Sequence, residues 1–64
     1  MTVNGSRYEY RPGLTLHRLL DEMKADQRMV VVMHGDEIYR AGQIPDAQLN
    51  EKDVVEVVTM AQGG

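Results

Sequence analysis

The sequence predicts an α+β domain: a mixed four- to five-stranded sheet with one helix packed on one face. Three observations carry this. Apolar residues recur at helical spacing from Leu16 to Met23. Two compact β-branched runs stand at Met29-Val30-Val31-Val32-Met33 and at Val54-Val55-Glu56-Val57-Val58-Thr59-Met60. An Asn4-Gly5 pair separates two short extended stretches near the start. The element order reads β-β-α-β-β-β, with the fourth strand short.

Asn4-Gly5 tolerates the positive φ that a type I′ turn demands, so it predicts a hairpin. Its arms are Thr2-Val3, extended by Met1, and the alternating Arg7-Tyr8-Glu9-Tyr10. Arg11-Pro12-Gly13 breaks the pattern. Thr15 is placed to cap a helix, because its hydroxyl can accept an orphan backbone N–H. Leu16, Leu19, Leu20 and Met23 then form one apolar stripe, with His17, Arg18, Asp21 and Glu22 toward water. The helix should fade between Lys24 and Asp26. Gly35-Asp36 turns the third strand into a short return, Glu37-Ile38-Tyr39. Residues 41–50 hold Pro45 and read as irregular, with Ile44 and Leu49 as core anchors. Glu51-Lys52-Asp53 leads into the last strand. A long connection separates the first and last strands, so they can pair in parallel.

Alternation assigns the faces. On the last strand Val55 and Val57 are expected to face the helix, and Val54, Glu56 and Val58 the opposite side. On the third strand Met29, Val31 and Met33 are expected inward, and Val30 and Val32 outward. Met23, Met29 and Met33 then fill gaps in the core. Val30, Val32, Val58 and Met60 would form an apolar patch. Such a patch marks a partner surface or is ordinary on so small a sheet.

The chain has 64 residues, which makes one domain: residues 1–60 as the globular part and 61–64 as a flexible tail. A chain of this size buries only roughly 60% of its unfolded surface, which leaves no room for a deep catalytic cleft. With no cysteine there is no disulfide, thiolate metal site or cysteine nucleophile, as suits a reducing compartment. The formal net charge is −3, with Lys and Arg scattered singly, which argues against nucleic acid as a partner. The longest apolar run, Met29 to Met33, falls far short of the ~20 residues of a membrane helix. Met1-Thr2-Val3-Asn4-Gly5 lacks the features of a signal peptide, and a cytoplasmic protein is expected. His17 and His34 have no spaced ligand set, so no metal is expected. Asp21-Glu22 and Asp36-Glu37 read as solvated charges rather than acid–base pairs.

Ala61-Gln62-Gly63-Gly64 follows directly on the last strand. Without side chains, Gly-Gly is the thinnest peptide available, and it can thread a narrow channel to present the Gly64 carboxylate. A frayed tail or a cloning scar is the alternative reading of the dipeptide alone.

In order along the chain, these residues resemble the ThiS family of sulfur carriers within the ubiquitin-like β-grasp superfamily. The likeness rests on Val3-Asn4-Gly5, on Gly13-Leu14-Thr15-Leu16 with Leu19-Leu20, and on Val30-Val31-Val32-Met33-His34-Gly35. It continues through Leu49, Asp53 and Val54–Val58 to Gln62-Gly63-Gly64. Two positions depart from it: His34 replaces an Asn before Gly35, and Lys52 stands where a Gly commonly precedes the Asp. The resemblance implies a β-grasp fold and a carrier with no catalysis of its own. A ThiF-like adenylating enzyme would use ATP and Mg²⁺ to activate the Gly64 carboxylate. A sulfur-donating persulfide protein would convert it to a thiocarboxylate, and a ThiG-like thiazole synthase would take the sulfur for thiamin. The carrier would bind no cofactor itself and would be a monomer when free, with no membrane partner. Alternatives are a MoaD-like carrier for molybdopterin or another sulfur pathway, a ubiquitin-like protein modifier, and a plain interaction module.

Overall fold

The computed structural model describes residues 1–59, and these form a five-stranded mixed sheet with a single helix against one face. In chain order the elements are β1 (Thr2–Val3), β2 (Ser6–Arg7), α1 (Leu16–Glu22), β3 (Val30–His34), β4 (Glu37–Tyr39) and β5 (Val54–Thr59). Across the sheet the order is β2-β1-β5-β3-β4. The predicted α+β class and element order are borne out. So is the parallel pairing of the first and last strands, with Thr2 opposite Val54 and Val3 opposite Val55.

The hairpin forms as the Asn-Gly pair requires. Asn4 and Gly5 both take positive φ, 53° and 81°, which turns β1 back along β2. Regular pairing ends at Arg7, earlier than the alternating stretch suggested. The Tyr8 N–H still donates to the Met1 carbonyl at 2.9 Å, and Tyr8 and Tyr10 pack on the core.

Thr15 caps α1 as expected, its Oγ1 accepting from the Arg18 N–H at 3.3 Å. Residues 46–49 supply further support. Asp46 Oδ1 accepts from the His17 N–H at 3.1 Å, and the Leu16 N–H donates to the Ala47 carbonyl at 2.9 Å. At the other end the helix stops in a Schellman arrangement. The Ala25 N–H reaches the Leu20 carbonyl, the Lys24 N–H reaches the Asp21 carbonyl, and Lys24 takes φ 59°.

The stripe that predicted the helix is its buried face: Leu16, Leu19 and Leu20 have no solvent exposure. They meet Val3, Leu14, Val30, Val32, Ile44, Leu49 and Val55 in one core. Burying each such leucine contributes about 2 kcal/mol. In a domain whose net stability is on the order of 5–15 kcal/mol, no single one is dispensable. Ile44 and Leu49 anchor the irregular segment, as expected.

The face assignment of β5 holds. Val55 is fully buried, Val57 packs on the core, and Val54, Glu56 and Val58 are exposed. The face assignment of β3 is reversed. Val30 (2% exposed) and Val32 (0%) are core residues, whereas Val31 and Met33 lie on the other face. The cause is the ladder to β5: Val32 pairs with Val57 and Val31 with Val58, and cross-strand partners share a face. Met29 precedes the strand and is 48% exposed, so neither it nor Met33 fills the core. Met23 does pack against it.

Candidate functional site

The face of the sheet away from α1 carries the candidate surface. On β5 it presents Val54, Glu56 and Val58. On β3 it presents Val31, opposite Val58, and Met33, opposite Glu56. On β4 Ile38 stands opposite Met33, and on β1 Thr2 stands opposite Val54. Ile38 is 67% exposed, Val54 54% and Val58 49%. Three large aliphatic side chains about half or more in water on one face of so small a domain form an exposed apolar patch.

Of the residues assigned to this surface from sequence, Val58 is on it. Val30 and Val32 are not, since they are buried beneath the sheet. Met60, Ala61, Gln62, Gly63 and Gly64 lie outside the described residues. The surface members that sequence reasoning missed are Val31, Met33 and Ile38. The run Met29–Met33 is apolar at every position and contains no polar residue to mark its solvent side. Only its partner strand, where Glu56 interrupts the valines, carries that mark.

β5 is the strand that continues into residues 60–64, and it is held on both edges. Five residue pairs join it to β3. On the other edge, the Thr2 N–H donates to the Asp53 carbonyl at 3.0 Å and the Asn4 N–H to the Val55 carbonyl at 2.9 Å. The Asn4 side chain prolongs this ladder beyond β1: its Oδ1 accepts from the Val57 N–H at 2.7 Å. Asn4 therefore serves both the hairpin turn and the strand that leads to the Gly-Gly pair.

The start of β5 is fixed by a half-buried cluster. His34 Nε2 donates to Asp53 Oδ2 at 2.8 Å, and the Asn50 N–H donates to the same oxygen at 2.8 Å. Burial pushes the Asp53 carboxyl up, but the bonds from His34 and Asn50 outweigh it and leave Asp53 below the usual carboxylate range. The two departures noted in the sequence meet here. His34 supplies the bond to Asp53, and Lys52 sits in the turn without positive φ, so no glycine is required.

Several other ionisable groups hold the fold together. Glu22 accepts from the Tyr8 hydroxyl at 2.6 Å and from Arg11, and Arg18 lies 3.8 Å away. The Tyr8 bond and then the Arg11 bond hold Glu22 below its ordinary range. A shallow depression beside the helix entry is lined by Arg11 and Arg18, and Glu22 engages both. His17 is drawn partly inward, its Nε2 donating to the Ile44 carbonyl at 2.7 Å. Asp21, Asp36 and Glu37 are exposed, as solvated charges should be. Among the described residues no three His, Asp or Glu side chains are grouped to hold a metal ion, and no helix is long and apolar enough to cross a membrane.

Comparison with known proteins agrees with this architecture. The model of the ThiS family matches residues 1–64. The sulfur carrier protein ThiS of Thermus thermophilus is 41% identical over 58 residues, covering 88% of this chain and 91% of that protein. A match along the whole sequence, on a sheet of β-grasp topology with one helix, leaves a single assignment: the chain belongs to the ThiS family of ubiquitin-like β-grasp proteins, and is a small carrier rather than an enzyme.

Proposed function

We propose that this chain carries sulfur as a thiocarboxylate on Gly64 and delivers it for formation of the thiazole ring of thiamin. The observation that carries this reading is the family match across the whole chain, which includes Gly63-Gly64. A free carboxylate does not exchange oxygen for sulfur at a useful rate. In the proposed cycle an adenylating enzyme with ATP and Mg²⁺ joins the Gly64 carboxylate to AMP and releases pyrophosphate. A persulfide sulfur then attacks the activated carbonyl and expels AMP. A thiol cleaves the resulting acyl disulfide, leaving the thiocarboxylate for a thiazole synthase. The chemistry belongs to these enzymes.

The globular part supplies binding energy that places the reacting group. The open sheet face, with Val58 beside Val31 and across the sheet from Ile38, is the proposed docking surface for the adenylating enzyme. It adjoins β5, so docking there sets the point from which residues 60–64 extend. The absence of side chains at Gly63 and Gly64 suits a narrow passage.

The test is intact mass after incubation with ATP, the adenylating enzyme and a persulfide source. Exchange of one oxygen for sulfur adds about 16 Da at the terminal group. Deleting Gly64 should abolish the gain. A gain that persists in the deletion variant would refute the assignment to Gly64. Adducts joined to lysines of other proteins would favour a modifier instead.

A further inference from the structure

We infer that Glu56 makes the open sheet face selective: it admits a partner that sets a lysine or arginine within an apolar surface, and it disfavours pairing with a second copy of this chain. The identity of the partner as an adenylating enzyme rests on the carrier reading above; the effect on self-pairing does not.

On its own strand Glu56 lies between Val54 and Val58, which point the same way. Directly across is Met33, with Val31 diagonal to it and Ile38 beyond Met33 on β4. Among the described residues Glu56 makes no ion pair and no side-chain hydrogen bond. Among the strand residues described, the other charged side chain on this face is that of Arg7, which lies two strands away at the edge, opposite Thr2. Among the described residues, the apolar patch therefore has one carboxylate without a partner, near its centre.

Any protein that covers the patch must desolvate that carboxylate. Against a purely apolar surface this is costly, because a buried charge without a partner loses its hydration and gains nothing. A cation placed opposite restores the balance and fixes the register of docking. Among the strand residues described, a second copy of the chain offers no cation opposite Glu56. A two-fold dimer through this face sets each patch against itself and brings the two Glu56 carboxylates together. Pairing Glu56 with Arg7 of the other copy instead slides the aliphatic side chains off one another. The same residue thus recruits one class of partner and excludes another.

The test uses the full chain and two substitutions, Glu56→Val and Glu56→Lys, with circular dichroism to establish that both fold. Sedimentation at concentrations on the order of 100 μM reads self-association. The wild type should remain monomeric and Glu56→Val should form dimers; identical sedimentation of the two overturns the effect on self-pairing. Titration against the adenylating enzyme of the same organism reads recruitment. Glu56→Lys should bind at least about thirty-fold more weakly than the wild type, and Glu56→Val about tenfold more weakly, because the partner's cation is left unpaired. Glu56→Val binding as tightly as the wild type, or more tightly, shows that the face docks by apolar contact alone and overturns the predicted cation. If the wild type is neither bound nor given the mass gain, the carrier reading fails, and sedimentation alone decides the role of Glu56.

Discussion

Val32→Ala should destabilise the domain severely, and Val31→Ala should hardly affect it. The side chain of Val32 is fully buried between the sheet and α1, opposite Val57. Truncation removes two methyl-sized groups from the core, worth about 1.6 kcal/mol in transfer free energy. A residual void of roughly 40 Å³ adds about 1 kcal/mol, giving about 2.5 kcal/mol in all. At roughly 4–8 °C per kcal/mol for a domain of this size, the melting temperature should fall by about 10–20 °C. Val31 is half-buried on the open face, where water replaces part of what is removed, so its loss should cost under about 1 kcal/mol. The assay is thermal and urea denaturation of both variants beside the wild type. A larger loss for Val31→Ala than for Val32→Ala would show that β3 is one residue out of the described register, and the reasoning about both faces would fall with it.

Val58→Asp should leave the fold intact, because Val58 is half in water, but weaken docking to the adenylating enzyme by about tenfold or more. A variant that folds and binds normally places the docking surface elsewhere. Lys24→Gly should raise stability by about 1 kcal/mol and the melting temperature by about 4–8 °C, because Lys24 closes the helix in the left-handed region, where a Cβ is strained. An unchanged or lower melting temperature argues against strain there. Stability should fall in acid. The carboxyls of Glu22, Asp26, Asp46 and Asp53 all lie below their ordinary values in the folded chain. Their stabilisation is therefore fully present above the ordinary carboxylate range and is lost as pH falls through the lowered values. Urea titrations from pH 7 to pH 2 should show this, with a shallower decline for Asp53→Asn. Equal stability of the wild type at both ends would contradict the assigned bonds.

The helix was legible because Leu16, Leu19, Leu20 and Met23 alternate with charges at a spacing only a helix satisfies. β5 was legible for a related reason: a single glutamate among four valines shows which side is wet. β3 has no charged residue, and its polar residue, His34, pairs with Val55 on the helix side rather than marking the open face. Its register is decided by hydrogen bonding to a strand more than twenty positions away, which local pattern does not encode. The same holds for the outer members of the candidate surface, Val31, Met33 and Ile38. The support that residues 46–49 give to α1 and the bond between His34 and Asp53 join segments distant in sequence, and no short motif announces either.

The position of β5 has a mechanical consequence. A partner that draws on residues 60–64 pulls along the axis of a strand bonded on both sides, to β1 and to β3. Because β1 runs parallel to β5 and is tied to it as far as Val57 through Asn4, a load applied at the end of β5 is met in shear. The bonds of the ladder must then yield together rather than one after another, as they would in a strand peeled from an edge. If partners grip and release residues 60–64, as the proposed carrier cycle requires, the strand can thus sustain that tension while the core stays folded.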